Sequence, residues 1–229
     1  MNGEKEKIFK RIREALSVPA PHPGHDAACE PANGTVEIAR WLPPVGAAFA
    51  DQADLFARNS VSLKSTFHLL EDETAAAAKL AEIASSEGWK RVAAHGNGAR
   101  GPATRAMVAG LGLNALWTDN GYEVREMEQC DAGISECDAL IAQTGSVLVT
   151  AVSAGGRALS VLPPHHIVLA RREQLLADLP AAFDLIQRKY GEHYPSFIGL
   201  ITGPSRTGDI ERILVLGAHG PKKLTILCW

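Results

Sequence analysis

The chain has 229 residues, 46% of them hydrophobic and 21% charged, with a formal net charge of -3. This composition suits a globular chain with one large domain and gives no broad cationic field to hold nucleic acid or an anionic membrane. No apolar run reaches the roughly 20 residues that span a bilayer, and Met1 to Leu16 has no signal-peptide core, so no membrane span and a cytoplasmic location are expected.

Glu4 to Leu16 places Ile8, Ile12, Ala15 and Leu16 on one side of an amphipathic helix. Pro19 to Gly34 follows, with four prolines, His22, His25 and no periodicity, and reads as a linker with solvated histidines. Residues 1–44 are therefore set apart as a helix and Pro-rich linker, and residues 45–229 as the main domain. Val45 to Leu70 reads as a second helical stretch with Phe49, Leu55, Phe56 and Leu63 toward the core. Asp72 to Glu87 is Ala-rich and helical, with Gly88 as its stop. Arg91 to His95 is a strand, Pro102 to Gly110 a helix and Ala115 to Thr118 a strand. Ala139 to Ala142 and Ser146 to Thr150 read as two more, and Ser153 to Gly156 as a turn that returns Arg157 to Leu162 as a hairpin partner. Ile167 to Ala170 is a strand, Arg172 to Tyr190 a helix, and Phe197 to Thr202 and Arg212 to Leu216 strands. Leu224 to Leu227 closes the sheet. The alternation predicts an α/β fold, a mixed β-sheet between helical layers.

The four cysteines, Cys29, Cys130, Cys137 and Cys228, form no CxxC pair, and their spacing fits neither a zinc ribbon nor a ferredoxin cluster. They read as isolated buried thiols, with no metal and no iron–sulfur cluster in this chain. His165 and His166 are adjacent on a strand and so are split between its faces.

Three stretches carry candidate chemistry. Gly96-Asn97-Gly98-Ala99-Arg100-Gly101 matches GxGxxG after a strand, with Asp119 near the position of a ribose-binding acid. Gly96, Gly98 and Gly101 are thus cofactor candidates, and an ordinary Gly-rich βα turn accounts for them equally. Gln143-Thr144-Gly145-Ser146 is a tight bend with N–H groups and hydroxyls suited to an anion, or a strand-to-strand turn. Gly203-Pro204-Ser205-Arg206-Thr207-Gly208-Asp209 leaves a strand with two hydroxyls and a guanidinium. If Thr207 or Gly208 caps a short helix, the loop suits a phosphate or carboxylate; if Asp209 satisfies Arg206, it is a clasp. His219, before Gly220-Pro221, is a candidate general acid or base. No Ser-His-Asp elbow, P-loop or HExxH pattern is present.

"QTGSVLVTAVSAGGRALSVLPPHHIVLA", then "ITGPSRTGDIERILVLGAHGP", closely resembles the lactate utilization protein C family, the single-domain members of the LUD group. The resemblance is strong from Asp138 to the C-terminus and looser over Ala47 to Asp131. It implies a fold similar to the ribose-5-phosphate isomerase, glucosamine-6-phosphate deaminase and CoA-transferase group. It also implies oxidation of L-lactate to pyruvate without nicotinamide, together with two iron–sulfur proteins that carry the clusters. The family usually has Glu-Thr-Gly where this chain has Gln143-Thr144-Gly145, so an acid, base or nucleophile role at that position is in doubt.

The preferred expectation is a subunit of a lactate-oxidising complex. It would bind a small carboxylate or phosphate ligand through Thr144, Gly145, Ser146, Gly203, Ser205, Arg206, Thr207 and Asp209, with His219 nearby. The rival is a stand-alone group-transfer or isomerase enzyme acting on a CoA, folate or sugar-phosphate compound. A nucleotide enzyme using the Gly96 loop is the third.

Overall fold

The computed structural model describes residues 2–17, 44–191, 193–208, 214–217 and 219–229. The chain separates into two compact units, Met1–Leu42 and Pro43–Trp229. The first contains helix α1 (Asn2–Ser17), with Ile8 and Phe9 exposed and a surface Lys10–Glu14 pair along one side.

The second unit runs α2 (Phe49–Ser62), β1 (Thr66–Leu69), α3 (Glu73–Glu87), β2 (Arg91–Ala94), α4 (Gly101–Gly110), β3 (Asn114–Trp117), α5 (Val124–Met127), β4 (Ala132–Glu136), β5 (Ala139–Ile141), β6 (Ser146–Thr150), α6 (Ala151–Ala154), β7 (His165–Ala170), β8 (Leu175–Leu176), α7 (Leu179–Tyr190), β9 (Ile198–Ile201), β10 (Arg206–Gly208), β11 (Leu214–Leu216) and β12 (Lys223–Cys228). Local chemistry sets several boundaries. The Asp72 carboxylate caps α3 by accepting from the Ala75 N–H at 2.8 Å, and Gly88 ends it in the left-handed region. Asp178 caps α7 in the same way at Ala181, with Pro180 in its first turn.

Six strands form an all-parallel sheet in the order β1-β12-β7-β4-β2-β3. A second sheet, β8-β5-β6-β9, is mixed, and β10–β11 is a separate antiparallel pair. Alternation along the strands divides the core. Ile167, Leu169 and Leu227 meet α3 and α4, whereas Val168, Ala170, Leu224 and Ile226 meet α2 and the second sheet. Helix α7 covers the far face of the second sheet through Ala182 and Ile186. The architecture is α/β, a mostly parallel sheet between helical layers, with the second sheet inserted into one layer.

Several sequence expectations change. The second helix stops at Ser62; Lys64 takes a left-handed φ of 65° and β1 follows, while Phe49 is exposed. Strand β4 was not expected, because Gly133, Ser135 and Glu136 interrupt its apolar pattern although all five residues are buried. Arg157–Leu162 is no hairpin partner: β6 lies between β5 and β9, and Ala158–Ser160 forms a single 3-10 turn. The helix expected from Arg172 begins only at Leu179, after a 3-10 turn and the short β8. Strand β12 lies inside the sheet between β1 and β7.

Candidate functional site

Of the residues expected to bind an anion, the Thr144–Ser146 bend and the Gly203–Arg206 segment lie toward one end of the second unit, by the amino-terminal edge of the parallel sheet. The Thr144–Gly145 bend rests on the end of α2. The Asn59 amide donates to the Ala142 and Gln143 carbonyls at 2.8 and 3.1 Å. Gly145 has φ +65°, and a Cβ there would lie 2.7 Å from the Asn59 Cβ, so only glycine allows this approach. The Ser146 hydroxyl pairs with Thr202 at 2.8 Å, and the Thr144 hydroxyl is buried without a partner. Gly203 sits against the Leu63 carbonyl, with a guanidinium nitrogen of the exposed Arg206 3.7 Å from its Cβ position. Leu63 therefore touches both segments, its side chain against Gly145 and its carbonyl against Gly203.

Ser205 and the His219-Gly220-Pro221 segment are brought together. The Ser205 N–H donates to the Pro221 carbonyl and the Gly217 N–H to the Ser205 carbonyl, both at 2.9 Å. Residues 206–208 are strand, paired with 214–216, and the stretch in which Thr207 or Gly208 was expected to cap a helix lies outside the described residues. Asp209 and Glu211 lie outside the described residues, as do His22, His25 and Cys29. His219 is exposed and lines a cleft of about 370 Å³ with Glu128, Val161, Leu162, Gly217 and Gly220.

The opposite, carboxyl-terminal edge of the parallel sheet carries a constellation in which the sequence singles out Asp119 and the glycine loop but not His95, Arg105 or Glu136. Adjacent strands β4, β2 and β3 end in Glu136, in Ala94 followed by His95, and in Trp117 followed by Thr118 and Asp119. Ligands of open parallel sheets bind outside such ends, because the loops that follow the strands converge there. His95 Nδ1 lies 2.9 Å from Asp119 Oδ1 and 2.9 Å from the Thr118 hydroxyl. The other Asp119 oxygen takes Arg105 at 2.5 Å, and the Gly96 N–H donates to the same carboxylate at 3.0 Å. Arg105 also stacks on Trp117, 4.6 Å from the ring centroid.

Glu136 packs into the Gly96–Gly101 loop, which the sequence leaves open between a cofactor turn and an ordinary βα turn. Its carboxylate accepts from the Arg100 N–H at 3.0 and 3.2 Å and from the Thr104 hydroxyl at 3.0 Å, at the start of α4. A Cβ at Gly98 would lie 2.7 Å from the Glu136 carboxyl carbon. Asp119 holds the Gly96 N–H in the position considered for a ribose-binding acid. Two donors of the loop thus meet the chain's own carboxylates, and Gly96, Gly98 and Gly101 are explained by close packing.

A further polar cluster joins the buried Asp138, just before β5, to β6 and to the partly exposed end of α7. Asp138 Oδ1 accepts from Lys189 at 2.5 Å and from the Tyr190 hydroxyl at 2.6 Å, and Tyr190 also pairs with Thr150. Burial pushes the Asp138 carboxyl up, but the bonds from Lys189 and Tyr190 outweigh it and hold the group below its ordinary value. The described cysteines, Cys130, Cys137 and Cys228, are buried and unpaired with one another. Burial drives Cys137 well up and Cys228 up to about 12, so both are packing thiols and not nucleophiles. Among the described residues, no group of three or more His, Cys, Asp or Glu is placed to hold a metal ion, and no helix is long and apolar enough to cross a membrane.

The sequence model of the LUD domain matches residues 53–228, nearly all of the second unit. The chain belongs to the LUD domain family. Among LUD-related proteins it is similar to lactate utilization protein C of Shouchella clausii, 38% identical over 113 residues that cover 48% of this chain and 49% of that protein. The protein of the same name from Anoxybacillus flavithermus is 31% identical over 146 residues, 59% of this chain and 65% of that one. The chain spans about half the length of the first of these relatives. A crystal structure of a DUF162 family protein from Deinococcus radiodurans superposes with a TM-score of 0.60 at 17% identity, covering 80% of this chain and 99% of that one. It shares the fold.

Proposed function

We propose that this LUD protein is a component of L-lactate utilization, working with two iron–sulfur proteins and binding a small carboxylate or phosphate. The observation that carries the reading is the set of relatives named lactate utilization protein C, aligned at 31% to 38% identity. The partners and their clusters are carried over from the resemblance in the "GPSRTGDIE" and "HGP" segments. At the amino edge, Arg206 is the proposed countercharge, exposed beside Gly203, with Ser205 and Thr207 next to it in the chain.

Deleting the gene should abolish growth on L-lactate, and a tagged chain should recover two iron–sulfur proteins in a native pull-down. Unimpaired growth of the deletion strain contradicts the reading. Arg206→Ala should lose lactate-dependent growth while the protein stays folded; normal growth removes the amino edge from the ligand site. A stand-alone enzyme is the second reading, favoured by the His95–Asp119 geometry at the carboxyl edge. It predicts turnover by the isolated chain and a thermal shift with a CoA, folate or sugar-phosphate compound.

A further inference from the structure

We propose that the carboxyl edge is an acid–base site for a small 2-hydroxy or 2-oxo acid, with His95 Nε2 facing the C2 oxygen and Arg105 the carboxylate. The choice of acid rests on the lactate reading; the acid–base site does not.

Asp119 organises the site. Its side chain is 3% exposed, and its two oxygens meet different partners, His95 Nδ1 at 2.9 Å and Arg105 at 2.5 Å. A carboxylate at Nδ1 fixes the proton there and leaves the lone pair on Nε2, the arrangement that makes an imidazole a directed base. The backbone of the glycine turn then closes the Nδ1 side. Gly155 has φ +63°, and a Cβ on it would lie 2.4 Å from His95 Nδ1 and 2.5 Å from the Thr118 hydroxyl. Among the described residues Nε2 has no partner, and it is not one of the buried unpaired atoms.

Arg105 supplies the second half. One nitrogen bonds Asp119 and the guanidinium face lies on Trp117, yet the side chain is 44% exposed. Its remaining N–H groups are available to a carboxylate. Because His95 and Arg105 bond opposite oxygens of one carboxylate, they stand close enough for a ligand whose carboxylate and reacting oxygen are on neighbouring carbons. In the step proposed, the ligand O–H breaks, its proton forms the Nε2–H bond, and the imidazolium is held by Asp119. The reverse step returns the proton to the ligand oxygen.

A tie between two strand ends needs only the Nδ1 bond, which gives a decisive substitution. His95→Asn keeps a side-chain N–H near Nδ1 and loses Nε2. In the full-length protein, the melting temperature should hold while L-lactate consumption by the complemented deletion strain falls by about 10²-fold or more. Wild-type consumption with His95→Asn would overturn the proposal and leave a structural clasp. Nitrogen-15 NMR of the wild-type imidazole gives an independent reading, and it also decides should the variant fail to fold. The free protein should show the Nδ1–H tautomer, and adding L-lactate or pyruvate should move the Nε2 resonance. A resonance unmoved by L-lactate, pyruvate and inorganic phosphate overturns the site. A moved resonance in a protein whose deletion leaves lactate growth intact retains the site and rejects the lactate role.

Discussion

His166 should make this protein acid-labile by an amount that one substitution can isolate. It lies on β7 between β4 and β12, with no solvent exposure, its Nε2 2.9 Å from the Ser135 hydroxyl and its Nδ1 buried without a partner. Burial, helped by the neighbouring His165, pushes its pKa down to about 3. An unfolded histidine titrates near 6.5, so between these values the unfolded chain binds a proton that the native chain excludes. Stability therefore rises with pH through that window and is lost as pH falls through it. From pH 7 to pH 5 the loss from this residue is about 2 kcal/mol, at about 1.4 kcal/mol per unit of pH below 6.5. His166→Gln keeps a polar partner for Ser135 and removes the titration. Urea unfolding at both pH values should show the variant losing about 2 kcal/mol less than wild type. Other groups, including His165, Glu87 and Asp138, are common to both proteins and cancel in the difference. Equal losses in the two proteins would refute the reasoning, since the buried imidazole would then be protonated at no extra cost.

Two further substitutions test the carboxyl edge. Glu136→Ala leaves the Arg100 N–H and the Thr104 hydroxyl unpaired, costing about 1–3 kcal/mol, and opens the start of α4 to an external anion. Calorimetric unfolding should show a lowered Tm partly restored by phosphate in the variant only; restoration of neither protein denies Glu136 the anion position. Gly155→Ala forces a Cβ into His95 and Thr118 from a left-handed backbone, and its strain alone costs about 1–2 kcal/mol. Thermal unfolding should show the destabilisation, and the imidazole NMR spectrum should show a displaced His95; an unchanged ring environment would mean that the turn does not hold it.

The residues that the sequence made legible are those whose signals are local. Gly88 is legible as the stop of α3 because a glycine at a helix end acts within one turn, and Asp72, which reads as the first helical residue, is its cap. Apolar runs such as His165–Ala170 are recognisable as fully buried strands of a parallel sheet, and the specific spacing of the "GPSRTGDIE" and "HGP" segments points to the family. Strand β4 escaped because its glycine, serine and glutamate are buried by tertiary neighbours that no local pattern records.

Which residues meet was settled by the fold. In the sequence the glycine loop is open between a cofactor turn and an ordinary βα turn, and only the fold brings Glu136, at the end of a strand 36 residues from Arg100, against it. The bend at Thr144 and the loop at Gly203 both pack on Leu63, a contact set by where α2 terminates. In the sequence His95 looks like an ordinary residue after a short strand, and Asp119 draws attention only as a possible ribose-binding acid. They become a pair only because β2 and β3 are adjacent and parallel, which brings the residues following both strands to the same edge of the sheet. Local sequence determines helices, strands and caps through interactions a few residues apart. Strand order alone decides which polar side chains share an edge, and it depends on the packing of the whole chain.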